Sequence, residues 1–170
     1  LFSLLLCFTL GSIGNEGRSF IPDLMQVEGN RALSALAGGV IFNASNILLA
    51  AAVAIAGMSV AFPLGVGLAL VLGVIINYIG TPKGEVVLLF IGVLLVAFAI
   101  VINGMAARRK GGTDQGNSRK GIILAAAAGI LMSFFYRFVA AAMDLDNFTS
   151  PTPGMATPYT AFFIFSCGIF

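Results

Sequence analysis

Few side chains in this sequence can do chemistry. There is no histidine, the cysteines Cys7 and Cys167 lie apart in apolar runs, and the acidic residues fall in the polar stretches between such runs. Metal ligation, nucleophilic catalysis and paired acid–base work all lack their usual donors. No catalytic residue, metal or cofactor is expected, and the chain does not read as an enzyme. The Gly-containing stretch Gly111-Gly112-Thr113-Asp114-Gln115-Gly116 lacks the Gly-Lys-Ser/Thr ending of a phosphate-cradling loop.

The informative groups are polar side chains inside apolar runs, because each must be satisfied without bulk water. Asn43, Ser45 and Asn46 form the densest set. Asn43 and Asn46 are three apart and share a helical face, with Gly39 one turn before. Such a face offers amide donors and acceptors to a neutral polar solute such as a sugar, nucleobase or ureide. The competing reading, and the stronger one from sequence alone, is that these amides join neighbouring helices by hydrogen bonds. Pro63 with Gly65 and Gly67 removes a backbone donor and adds two small residues, which suits either a hinge or a packing kink. Arg137, preceded by Tyr136, is the one charge well inside an apolar run. It either meets a solute or snorkels to an interface.

The elements that must hold these groups follow from hydropathy. Of the 170 residues 59% are hydrophobic and 9% charged, far from the quarter charged of a soluble domain. Residues 32–80 contain no charge and exceed the roughly 20 residues of one span. They predict two helices, about 32–55 and 59–80, with a break near Ala56-Gly57-Met58-Ser59. Further spans are predicted at about 86–107 and 121–143, with partial spans at about 1–14 and 159–170 that read as truncations of a longer protein. The fold class is all-α, a polytopic transmembrane bundle, with the lipid bilayer as its first partner.

Residues 108–120 carry Arg108, Arg109, Lys110, Arg119 and Lys120 against Asp114 and read as a flexible basic linker. Counting loops alternately, the two on the linker's side total +4 and the other three −3. The excess of Lys and Arg puts the linker in the cytosol, with the chain multi-pass in the cell membrane, a bacterial inner or plasma membrane. The net charge of +2 gives no footing for nucleic acid.

Three segments together carry a resemblance: Gly11-Ser12-Ile13-Gly14-Asn15-Glu16-Gly17-Arg18, Gly38-Gly39-Val40-Ile41-Phe42-Asn43-Ala44-Ser45-Asn46, and Gly57-Met58-Ser59-Val60-Ala61-Phe62-Pro63-Leu64-Gly65-Val66-Gly67-Leu68-Ala69-Leu70. With Thr157-Pro158-Tyr159-Thr160 they resemble the glucose/ribose porter and ureide permease group of the drug/metabolite transporter superfamily. The resemblance implies a ten-helix protein of two inverted five-helix repeats. Residues 1–107 would then be the remainder of the first repeat, 108–120 the connection, and 121–170 the start of the second, with the missing helices of the same protein as partners.

The expected activity is secondary transport of a small polar solute by alternating access. Asn43, Ser45, Asn46, Tyr136 and Arg137 are the candidate solute contacts, and Pro63, Gly65 and Gly67 the candidate hinge. A coupling ion, H+ or Na+, is left open. A proton carrier among these residues would be a loop-edge carboxylate, Glu16, Asp23, Glu28, Asp144 or Asp146. The alternatives are efflux of amphipathic compounds and a non-transporting membrane scaffold.

Overall fold

The computed structural model describes residues 2–13, 18–80, 82, 84–109, 115–148 and 150–170, with no side-chain detail at 107–109 and 115–118. Among these the regular elements are all helical: α1 (Phe2–Phe8), α2 (Leu10–Ile13), α3 (Phe20–Gln26), α4 (Gly29–Ala56), α5 (Met58–Gly80), α6 (Val86–Arg109), α7 (Gln115–Ala140) and α8 (Pro158–Ile169). Four of them, α4 to α7, are long and apolar enough to cross a membrane. The chain is a multi-pass helical membrane protein.

Helix boundaries depart from hydropathy where the backbone gains by continuing. At 28 residues α4 is about 42 Å long. It starts three residues before the apolar run and takes in Arg31. The basic stretch is mostly not a loop: α6 runs on to Arg109 through Ala and Arg, good helix formers, and α7 begins at Gln115. Residues 110–114 lie outside the described set. At the other end α7 stops at Ala140 rather than 143. The first apolar run breaks at Thr9, whose hydroxyl donates to the Leu5 carbonyl at 2.6 Å, while Ser12 donates to Cys7 O at 2.7 Å. These hydroxyls compete with backbone donors for the same carbonyls. Gly57 alone separates α4 from α5, with φ +81°, a left-handed conformation that glycine adopts without a Cβ penalty.

The described residues fall into two compact units. In the first, Leu1–Asn43 with Phe135–Phe170, a small core of Ala35, Ala142 and Ile164 is flanked by Leu24, Ala32 and Phe163. Here α4 and α8 meet through glycine. A methyl group on Gly39 would overlap the Phe165 carbonyl oxygen and stand 2.9 Å from Gly168 Cα, and one on Gly168 would overlap the Leu36 carbonyl. The end of α7 is tied to the start of α4: Ser34 Oγ donates to Phe138 O at 2.8 Å and Arg31 to Ala141 O at 3.1 Å. One carbonyl in the last turn of α7 and one just past its end are thereby satisfied.

The second unit, Ala44–Phe134, has a core of alanines: Ala52, Ala56, Ala61 and Ala125. A methyl group on Gly129 would stand 2.5 Å from Gly65 O, and one on Gly121 would overlap Ala56. The helix α6 packs against α5, and none of the most apolar part of α6 is buried. Its Gly92 and Gly104 face open space.

Substituting Gly39 or Gly168 by Ala forces backbone apart, and is expected to lower stability by about 1–3 kcal/mol in a detergent unfolding titration. Gly92→Ala and Gly104→Ala should stay within about 0.5 kcal/mol of the parent. Equal effects at all four positions would remove the close-contact account.

Candidate functional site

Asn43, Ser45 and Asn46 occupy one turn at the middle of α4, the 15th, 17th and 18th of its 28 residues. Asn43 Nδ2 donates to Ile169 O of α8 at 2.8 Å. The same α4–α8 contact holds the Gly39–Gly168 crossing, so this amide group joins helices. Beside it, Phe42 packs against Phe135 at 5.0 Å and Phe165 at 5.5 Å between ring centroids. Ser45 is fully buried and Asn46 half-buried.

The other candidates lie on other helices, α7 and α5. Tyr136 and Arg137 have exposed side chains on α7, and Arg137 lies in its last turn. Among the described residues neither side chain has a hydrogen-bond or ion-pair partner, and neither reaches Asn43. An Arg at a helix end sits close to the interface, where its guanidinium meets water. On α5, Pro63 is the sixth residue and the helix continues unbroken to Gly80. The donor that Pro63 removes therefore falls near the Gly57 turn and away from mid-helix. Gly65 and Gly67 are packing positions: a methyl group would stand 2.6 Å from Leu49 Cδ1 at the first and 2.5 Å from Ile100 at the second.

The densest polar arrangement is one that sequence reasoning did not assemble. Asp23, on α3, is completely buried. Its Oδ1 accepts from Arg18 Nε at 3.0 Å and Gln26 Nε2 at 3.1 Å, and its Oδ2 accepts from the Thr157 N–H and hydroxyl, both at 2.8 Å. Thr160 Oγ1 lies 3.1 Å from Thr157 Oγ1. Arg18 also donates to Met155 O at 2.9 Å, Gln26 Nε2 donates to Met155 O at 3.0 Å, and Gly154 N donates to Gln26 Oε1 at 3.0 Å. Thr157 is the N-cap of α8, and its own hydroxyl caps nothing in that helix. The carboxylate of Asp23 stands at this N-terminus instead, where the helix dipole favours negative charge. A buried carboxylate is tolerated only when its acceptor sites are filled. Here they are filled from residues 18, 26 and 157, so Asp23 is a tie between segments 134 residues apart.

The knot fixes residues 154–157 to α3, so the first and fifth polar stretches share one end of their unit. Within the loop, Ala156 N donates to Ala142 O at 2.9 Å. The Asp144 carboxylate accepts from the backbone N–H groups of Thr152 at 3.2 Å, Asp146 at 3.1 Å and Asn147 at 3.2 Å. The Thr152 bond first, then that of Asp146, holds this carboxyl below the usual aspartate range. Among the described residues no three His, Cys, Asp or Glu side chains come together as a metal site.

Compared with protein-family models, curated proteins and solved structures, the chain has no match in any of the three.

Asp23→Ala leaves Arg18 and Gln26 without their acceptor and should cost about 3 kcal/mol, read as a fall in unfolding midpoint with faster proteolysis of residues 144–157. A stable variant with an equally protected loop would contradict the tie. Because the folded-state pKa of Asp144 is depressed, its contribution is present above the ordinary aspartate value of about 4 and is lost as pH falls through the folded value. Amide exchange at Asp146, Asn147 and Thr152 should therefore quicken in acid, beyond the intrinsic rate, and Asp144→Asn should abolish that dependence.

Proposed function

We propose that the chain is part of a secondary transporter of the drug/metabolite type, in the glucose/ribose porter and ureide permease group, moving a small neutral polar solute by alternating access. The observation that carries this reading is the turn of Asn43, Ser45 and Asn46 at the centre of an apolar membrane helix. Polar groups at that depth are costly and are typically kept for a pathway. Asn46, half-buried on the same helical face as Asn43, is the proposed solute contact. The glycine crossings support the same reading, since flat backbone contacts let helices shift against one another with little side-chain rearrangement. Ten helices in two inverted repeats, completed by further helices of the same protein, would build the remaining walls of the site. The Lys- and Arg-rich stretch around residue 110 faces the cytosol in this scheme.

Export of amphipathic compounds is the second reading. The rings of Phe42, Phe135 and Phe165 beside Asn43 favour it, because they would line a cavity with aromatic surface.

Uptake and export of labelled sugars, ureides, nucleobases and amphipathic drugs in cells expressing the full-length protein test both. Saturable movement of a neutral polar solute is expected. Asn46→Ala should lower its transport efficiency about tenfold at unchanged expression, the loss of one hydrogen bond of about 1.4 kcal/mol. Movement of drugs alone would favour export, and no movement of any compound would leave a membrane scaffold.

A further inference from the structure

The short helix α3 is built inside out. Its buried side is Phe20 and Asp23, with the polar Gln26 turned inward to bond Asp23 and Met155. Its outer side is Ile21, Pro22 and Met25, with Met25 84% and Ile21 47% exposed. Residues 21 and 25 are one turn apart and 22 lies between them, so they form a single apolar face. A helix facing water presents the opposite arrangement.

What meets this face is indicated by its surroundings. Phe20 packs edge-on against Phe8 of α1 at 5.4 Å and Phe163 of α8 at 5.2 Å. The outward surface of α1 is apolar too, at Leu4, Leu5 and Phe8, and so is that of α4 at Leu33 and Leu36. The Ile21–Met25 face thus shares its apolar character with the exposed surfaces of α1 and of the membrane-crossing α4 in the same unit. The loop at the same end is mixed, exposing Phe148 and Pro153 but also Asp146, Asn147, Ser150 and Thr152, and these four are groups suited to water. With seven residues α3 is about 10 Å long, too short to cross the hydrocarbon.

We propose that α3 is an interfacial helix whose Ile21, Pro22 and Met25 sit among the lipid headgroups and upper acyl chains of the bilayer that α4 to α7 cross. Its apolar side holds it at that depth, and its Asp23 side fixes the N-terminus of α8 at the same level. The lipid surface thereby sets the height of the polar knot.

The sequence contains no tryptophan, so an introduced indole reports on its own position. Met25→Trp and Ile21→Trp alter exposed side chains only, and Ser150→Trp gives a loop reference. In the full chain in phosphatidylcholine vesicles, the two α3 variants should emit at shorter wavelength than Ser150→Trp. They should lose intensity when the acyl chains are brominated near the headgroup, and resist aqueous iodide. Iodide quenching equal to that of Ser150→Trp would overturn the proposal in favour of a water-facing helix. Resistance to both quenchers would overturn it in favour of cover by protein, from further helices of the same chain or a second copy.

Discussion

A carboxylate with no exposure to water has to find every acceptor site filled within the protein, and Asp23 meets that requirement with four donors from three places in the chain. The arrangement determines much of its surroundings. Arg18 is held against the carbonyls of residues 152 and 155, Gln26 is clamped between Asp23 and residues 154–155, and α8 begins where Thr157 meets the carboxylate. Removing a hydroxyl at Thr157 or an amide at Gln26 would leave a donor or acceptor buried without a partner. The cost of such a loss exceeds the net worth of an ordinary hydrogen bond.

Elsewhere the fold relies on closeness of backbone. Lipid tails are as apolar as leucine, so no hydrophobic force pushes spanning helices together, and contact area has to come from dispersion and weak polar terms. Alanine at positions 52, 56, 61 and 125, and glycine at 39, 65, 121, 129 and 168, let the helices come close enough for those terms to count. Large side chains are left to the outside: Leu88, Leu94, Leu95 and Phe98 of α6 are all exposed.

Hydropathy made the four long helices and the Gly57 break legible, because both rest on composition over some twenty residues. What escaped it has physical causes. With Pro22 and Asp23 among only seven residues, α3 reads as loop until Asp23 is given its partners. The extension of α6 into the basic stretch follows from helix propensity, which apolar runs do not report. The Asp23–Thr157 tie spans 134 positions, and only the residue types, a loop-edge carboxylate and a Thr-Pro-Tyr-Thr motif, were visible beforehand. For the candidate site, the sequence showed that Asn43 needed a partner, but whether that partner was a helix or a solute could be read only from Ile169.

The one-residue connection at Gly57 also bears on how the protein is made. An uncharged turn this short cannot remain behind as a polar segment while one helix enters the bilayer and the next waits. During synthesis α4 and α5 have to be handed to the membrane together, as a hairpin whose tip crosses with them. Their final orientation is then decided by the charged residues that flank the uncharged stretch 32–80, Glu28 and Arg31 before it and Lys83 and Glu85 after it. A charge introduced at the tip would therefore act on insertion before it could act on any later step.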